Sequence, residues 1–435
     1  MIAPLLLALQ VAAQDTSRLT LAAAVRRALD SHPSVAAARA GRDAAEASVG
    51  QARAPLYPRI AATLNANQYK IPNLVYPLSG LDLRNPPLFN STLSQGAVSL
   101  GWTLFDFGGR TSQVRLARAQ ELRAEAALDA TAAALVARVA DAYLGVLTTR
   151  DVLHAQEQEL AALQAEAGRV AQLEAQGKAA HVEVLRLAAQ VSRAHADEVG
   201  TRAQLDVAER NLAQLVAVPV DSLRARLVAV RLADTSLADR ASLVARAEAA
   251  SPDVAQARRA ADAASAGVGA ARAAYFPTLQ LNAAYVENGN GFKDYRPYWS
   301  AQLQISYPIF TGFAGVNGVR ANEASARAAA EQLRATRLAT EQSVDAALAT
   351  VTAARATVAA LVSAVAQSEE VERIRLLSVQ VGSGTETDYL DAEAALLSNR
   401  AALVQARNAE IAARVELARV TGQLDSDWLA RVLSQ

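Results

Sequence analysis

Two rhythms of apolar residues alternate along this chain of 435 residues. From Arg110 to Gln176 the spacing is helical: Leu128 and Leu135, then, after a shift of four, Val139, Val146, Leu153 and Leu160. Heptad spacing with one stutter predicts a helix packed side by side with other long helices. The stretch holds no proline and is rich in Ala, Leu, Arg, Glu and Gln, which lose least on entering a helix. At about 1.5 Å per residue it would reach roughly 100 Å, a rod that no globular domain needs.

In two other stretches the period falls to two. Ile60, Ala62, Leu64 and Ala66 alternate with Ala61, Thr63, Asn65 and Asn67, and Val98, Leu100, Trp102 and Leu104 alternate with Ser99, Gly101 and Thr103. Later, Leu279, Leu281, Ala283 and Tyr285 alternate with Gln280, Asn282 and Ala284, and Leu303, Ile305 and Tyr307 with Gln302, Gln304 and Ser306. Four strands are predicted, at about 56–68, 96–107, 276–286 and 299–310. One face of each is apolar and the other polar but uncharged. Tyr57, Phe105, Phe107, Phe276, Trp299 and Phe310 stand near the strand ends. Such strands suit the wall of a membrane β-barrel, lipid outside and water inside; the competing reading is a sheet over a soluble core. Four strands cannot close a barrel, and an open edge in lipid leaves backbone groups without partners. Three copies would supply twelve strands, so a homotrimer is expected.

The chain is written twice. At one offset Pro33, Val35, Arg39, Asp43, Val49 and Pro58 map to Pro252, Val254, Arg258, Asp262, Val268 and Pro277. At a second, Phe105, Val114, Leu128, Gly177, Leu185 and Leu212 map to Phe310, Val319, Leu333, Gly382, Leu390 and Leu417. Repeat 1 is assigned to 33–215, with a helix at 33–54, a long helix at about 110–176 and a return helix at about 179–215. Repeat 2 spans 251–422, with helices at 252–273, about 314–381 and about 385–420. Ser31 and Ser251, each shortly before a proline, are expected to cap the short helices.

Composition narrows the function. Only three of the 43 basic residues are lysines, the formal net charge is zero, and arginines are interspersed with acids, so nucleic acid is not an expected partner. No cysteine is present, which removes disulfides, thiol catalysis and thiolate metal sites. Residues 1–13, ending in Val11-Ala12-Ala13, read as a signal peptide. No other run of 18 apolar residues occurs, so no membrane-spanning helix is predicted. The four histidines are scattered, and His181 beside Glu183 reads as a solvated pair. No enzyme, cofactor or metal is expected.

The duplicated HPSVAAARAGRDAAEASVGQARAPLYPRI pattern, the junction LFDFGGRT with its copy IFTGFAG, and the tips GKAAHVEVLRLA and GSGTETDYLDAEAAL together resemble the TolC family of outer-membrane efflux proteins. The resemblance implies a mostly helical, internally duplicated fold. Long antiparallel hairpins would form an α-barrel in the periplasm, and four membrane strands per chain a twelve-stranded trimeric β-barrel. Segments 14–32 and 216–250 would then be equatorial and 423–435 a C-terminal tail. It further implies a passive exit duct for efflux or type I secretion, docked to a periplasmic adaptor protein and, through it, an inner-membrane pump. Carried over residue by residue, Glu183, Asp388 and Asp391 fall at a periplasmic gate. Gly177, Lys178, Gly382, Ser383 and Gly384 fall at the tip turns that dock the adaptor, and Phe105, Gly108, Gly109, Phe310 and Gly312 at the strand-to-helix junctions. The family's gate tyrosine and arginine fall on Val379 and Gly384, and Tyr389 is out of register, so the residues of that latch have no counterpart at these positions. The rival from another class is a trimeric coiled-coil scaffold of the cell envelope with no pore.

Overall fold

The computed structural model describes residues 19–75, 87–224, 227–233 and 237–434. The expected signal peptide lies outside them, as does the middle of the connection between the first two strands. The chain opens with α1 (Leu21–Ser31), α2 (Pro33–Arg53), β1 (Arg59–Leu74) and β2 (Phe89–Phe105). It continues with α3 (Gly109–Ala175), α4 (His181–Val216), α5 (Val220–Arg224), β3 (Arg231–Leu232) and α6 (Arg240–Ala250). The second copy follows as α7 (Pro252–Ala273), β4 (Thr278–Asn290), β5 (Lys293–Ser306), α8 (Ala314–Gln380) and α9 (Glu386–Val420), before α10 (Ser426–Val432) and β6 (Leu433–Ser434). Helices α3 and α8 are each 67 residues long, as two repeats in register require.

One unit comprises Met1–Ala38, Leu128–Val254 and Arg337–Gln435. Its main core gathers Leu21 and Val25 of α1, Leu135, Val139 and Val146 of α3, Leu212 of α4, Val415 of α9 and Leu429 of α10. The heptad positions of α3 are thus what the other helices pack on, each fully buried Leu or Val contributing about 1.5–3 kcal/mol. Tyr143 is completely buried there. Its hydroxyl accepts the Val228 amide at 3.0 Å and lies 2.8 Å from the carbonyls of Leu19 and Val228. The repeat-equivalent residue, Leu348, has no hydroxyl and packs against a smaller cluster of Val344, Val351, Leu243 and Leu417. The C-terminal segment is built in, since β6 pairs antiparallel with β3 and Asp425 caps α10 through the Trp428 amide at 2.6 Å.

Of the two expected caps, Ser31 does not cap α2: its hydroxyl donates back to the Arg27 carbonyl within α1, while His32 Nδ1 accepts the Ser34 amide at 3.2 Å and starts α2. Ser251 stands in an extended conformation between α6 and Pro252, the first residue of α7.

The second unit, Arg39–Ala127 and Ala255–Thr336, holds a four-stranded antiparallel sheet in the order β1-β2-β4-β5. Its register lines up the predicted faces. Ala62, Val98, Tyr285 and Trp299 form one row, and Ile60, Leu100, Ala283 and Ala301 the next. The opposite face carries Asn65, Gln95, Asn288 and Arg296 in one row and Arg59, Gly101, Asn282 and Gln302 in another. The apolar face is bare: Leu64 is 89%, Trp299 75% and Ile305 73% exposed. The strands run further into the polar, Gly-rich connections than the alternation predicts, because backbone pairing does not depend on apolar side chains. A register shift between Gln68 and Asn73 lets β1 pass Pro72.

The expectation of no helical span needs correcting on composition. Both α3 and α8 hold an 18-residue window of membrane-like mean hydropathy, 1.5 and 1.6, reached through alanine rather than an unbroken apolar run. That of α3 is half buried against the core, that of α8 only 6%.

Candidate functional site

The two tips share one turn. Gly177 takes φ 73° and its amide donates to the Glu174 carbonyl at 2.7 Å, while the Lys178 amide reaches the Leu173 carbonyl at 2.8 Å. In the second copy Gly382 takes φ 73°, with its amide on Val379 at 3.0 Å and that of Ser383 on Ser378 at 2.9 Å. These are Schellman endings of α3 and α8, in which glycine supplies the left-handed residue without a Cβ clash. Thr385 then caps α9, its hydroxyl accepting the Asp388 amide at 3.2 Å. A Cβ on Gly384 would lie 2.8 Å from the Ser378 Cβ, so this turn has no room for a side chain there without a shift.

The three gate candidates do not form one acidic cluster within the chain. Glu183 pairs with Arg186 at 3.0 Å, and Asp388 faces Arg375 of α8 at 3.9 Å. Glu183 and Asp391 line a cavity of about 640 Å³ together with Arg186 and Arg169; Asp388 is not among its lining residues. On the wall of that cavity the buried Glu166 is gripped by Nε and Nη2 of Arg169, at 2.7 Å each. His181 is bonded to Glu174 at 2.7 Å instead of to Glu183, because the turn brings the end of α3 against the start of α4. Sequence reasoning misses the arginines beside two of these gate candidates, Arg186 at Glu183 and Arg375 at Asp388. For Arg186 the signal was present, three places after Glu183; Arg375 comes from another helix and left none.

The junctions also match. Phe107 and Gly108 take φ 50° and 86°; Gly312 and Phe313, their equivalents, take φ 62° and 65°. Both copies therefore turn from strand to helix through two left-handed residues, with glycine first in one and second in the other. In the first copy Asp106 Oδ2 accepts the Arg110 amide at 2.8 Å and its Nε at 3.0 Å, and Arg110 donates on to the Pro55 carbonyl at 3.0 Å. Phe107 lies edge-on to Phe105 at 4.7 Å and stacks on Phe276 at 4.9 Å. Gly109 is tight, its Cβ position 3.3 Å from that of Ala273. The second copy keeps an edge contact between Phe310 and Phe313 at 5.7 Å but has Thr311 where the first has Asp106.

Residues 24–218 and 243–423 match the model of a family described as outer membrane efflux protein. The chain is 29% identical to protein CyaE of Bordetella pertussis over 345 residues, 78% of this chain and 70% of that one. It is 25% identical to outer membrane protein TolC of Salmonella enteritidis over 420 residues, 92% of this chain and 81% of the other. A crystal structure of a membrane protein from Pseudomonas aeruginosa superposes with a TM-score of 0.78 at 25% identity, covering 92% of this chain and 93% of that one.

Proposed function

We propose, given that this chain belongs to the outer membrane efflux protein family, that three copies close one passive duct whose helical tips dock a periplasmic adaptor. The protein is an outer-membrane efflux channel with a helical tunnel in the periplasm. Its family forms trimeric channels that work with adaptor proteins, and its fold is that of channels and not of known enzymes.

One observation carries the reading. The sheet ends at β1 and β5, and its apolar face is uncovered from Leu64 to Ile305. In lipid each open edge would leave a row of backbone groups unpaired, and the edge of a second copy satisfies them. Three copies give twelve strands with the Asn65–Arg296 face around water. The bare apolar window of α8 is likewise suited to a neighbouring helix from another copy. A coiled-coil scaffold without a pore has no use for the sheet.

At the tips Val182, Leu185 and Val381 are 65%, 57% and 76% exposed, beside the turns at Gly177–Lys178 and Gly382–Gly384. Apolar side chains at helix ends fit a protein partner, here the adaptor, which would bring the inner-membrane pump that supplies the energy. Glu183, Asp388 and Asp391 in threefold repetition would surround the opening as a gate. The test is reconstitution. The protein should stay with membranes until detergent is added and then conduct ions in a planar bilayer; a soluble rod that does not conduct would contradict the reading.

A further inference from the structure

We propose that the polar face of the sheet bears a ring of arginines that draws polyvalent anions, those with several phosphate or carboxylate groups, into the barrel. This rests on the closed barrel argued above. The register supplies the placement. Between the Thr278–Ser306 and Asn288–Arg296 pairs, where β4 and β5 run in unbroken alignment, Arg296 shares a face with Asn65, Gln95 and Asn288. Arg59 shares that face one end further along, in the row of Gly101, Asn282 and Gln302. Among the described residues in these rows the polar face carries those two arginines and no carboxylate. The one acid of the aligned stretch, Glu287, stands on the apolar face in the row of Leu64 and Gly96, where it accepts the Tyr285 hydroxyl at 3.2 Å.

Both arginines are exposed, and the row of Arg296 is braced by the Gln95 side-chain amide donating to Asn288 at 3.1 Å. A guanidinium stays charged at any physiological pH and suits phosphate and carboxylate oxygens in pairs. The two rows lie six residues, about 20 Å, apart along the strands, so threefold symmetry makes two sets of three such groups around one passage. The screening length is about 8 Å at physiological salt, so a small monovalent ion in mid-lumen feels little; at about 10 mM it is about 30 Å and the ring acts across the opening. A polyvalent anion feels the ring at both, through direct contact.

The experiment uses assembled trimers in a planar bilayer in about 10 mM potassium chloride, with myo-inositol hexakisphosphate added on the side of the β4–β5 hairpins. The unaltered channel should be blocked. Arg59→Gln with Arg296→Gln should weaken the block at least about tenfold and shift the reversal potential toward cations, while Arg59→Lys with Arg296→Lys should keep it. If the double glutamine variant does not assemble, each single glutamine variant should show partial loss. Block that is equal in the glutamine variants, or absent from a conducting unaltered channel, overturns the ring. An unaltered protein that does not conduct at all overturns the channel reading instead.

Discussion

The Tyr143 hydroxyl accepts the amide of Val228 at 3.0 Å while lying 2.8 Å from the same residue's carbonyl, which ties the middle of α3 to the segment between α5 and β3. Tyr143→Phe keeps the ring but leaves the Val228 amide and the Leu19 carbonyl without this partner, at a cost of about 1–3 kcal/mol. Burial pushes the phenol up from 10.0 to about 12, against smaller opposing effects of the Val228 hydrogen bond and Arg150. A phenol held neutral in the fold stabilises it fully below the unfolded value. That contribution is lost as pH rises from 10.0 toward about 12, by up to about 1.4 kcal/mol per pH unit. Thermal unfolding followed by circular dichroism across this range should show the decline in the unaltered chain and a shallower one in Tyr143→Phe.

The junctions predict an asymmetry between copies. Gly108→Ala places a Cβ on a residue at φ 86° and should cost about 1–2 kcal/mol. Asp106→Ala removes both the cap on α3 and the partner of Arg110, and should cost about 1 kcal/mol or more. Thr311→Ala, at the equivalent place, should cost less. Heat dissociation of the purified assembly, read on gels, ranks the three; equal effects of Asp106→Ala and Thr311→Ala would remove the assigned role of the cap.

At the tips, charge is already offset within the chain. Glu183 has Arg186 at 3.0 Å, so Glu183→Gln should change cation preference less than Asp391→Asn, and Arg186→Gln should raise it. Reversal potentials in a salt gradient decide this, and identical values for all three variants would remove the gate assignment.

The sequence showed the strands and rods because burial repeats there: period two on Ile60, Ala62 and Leu64, sevens on Val139 and Val146. It showed the turns because Gly177 and Gly382 meet a backbone demand that other residues meet poorly. What it could not show depended on contacts between distant segments. Nothing near Asp388 marks Arg375 as its neighbour, and nothing near Tyr143 marks Val228. Strand ends were also hidden, because the Asn290–Lys293 pairing is made by backbone atoms in residues that read as a loop. The left-handed Phe107 and Phe313 gave no signal at all, since phenylalanine rarely adopts that conformation.

The closed barrel has its most direct test at the two sheet edges. The chain has no cysteine of its own, so single cysteines at Ala61, Thr63 and Asn65 of β1 can each be combined with Ser300→Cys of β5. Within one chain these strands are three interstrand steps apart, roughly 14 Å, beyond the reach of a disulfide at about 7 Å between Cα atoms. Oxidation in the outer membrane should therefore yield, for at least one pair, a covalent species of three chains. Single chains at every pair, from protein that is membrane-inserted, would contradict the account.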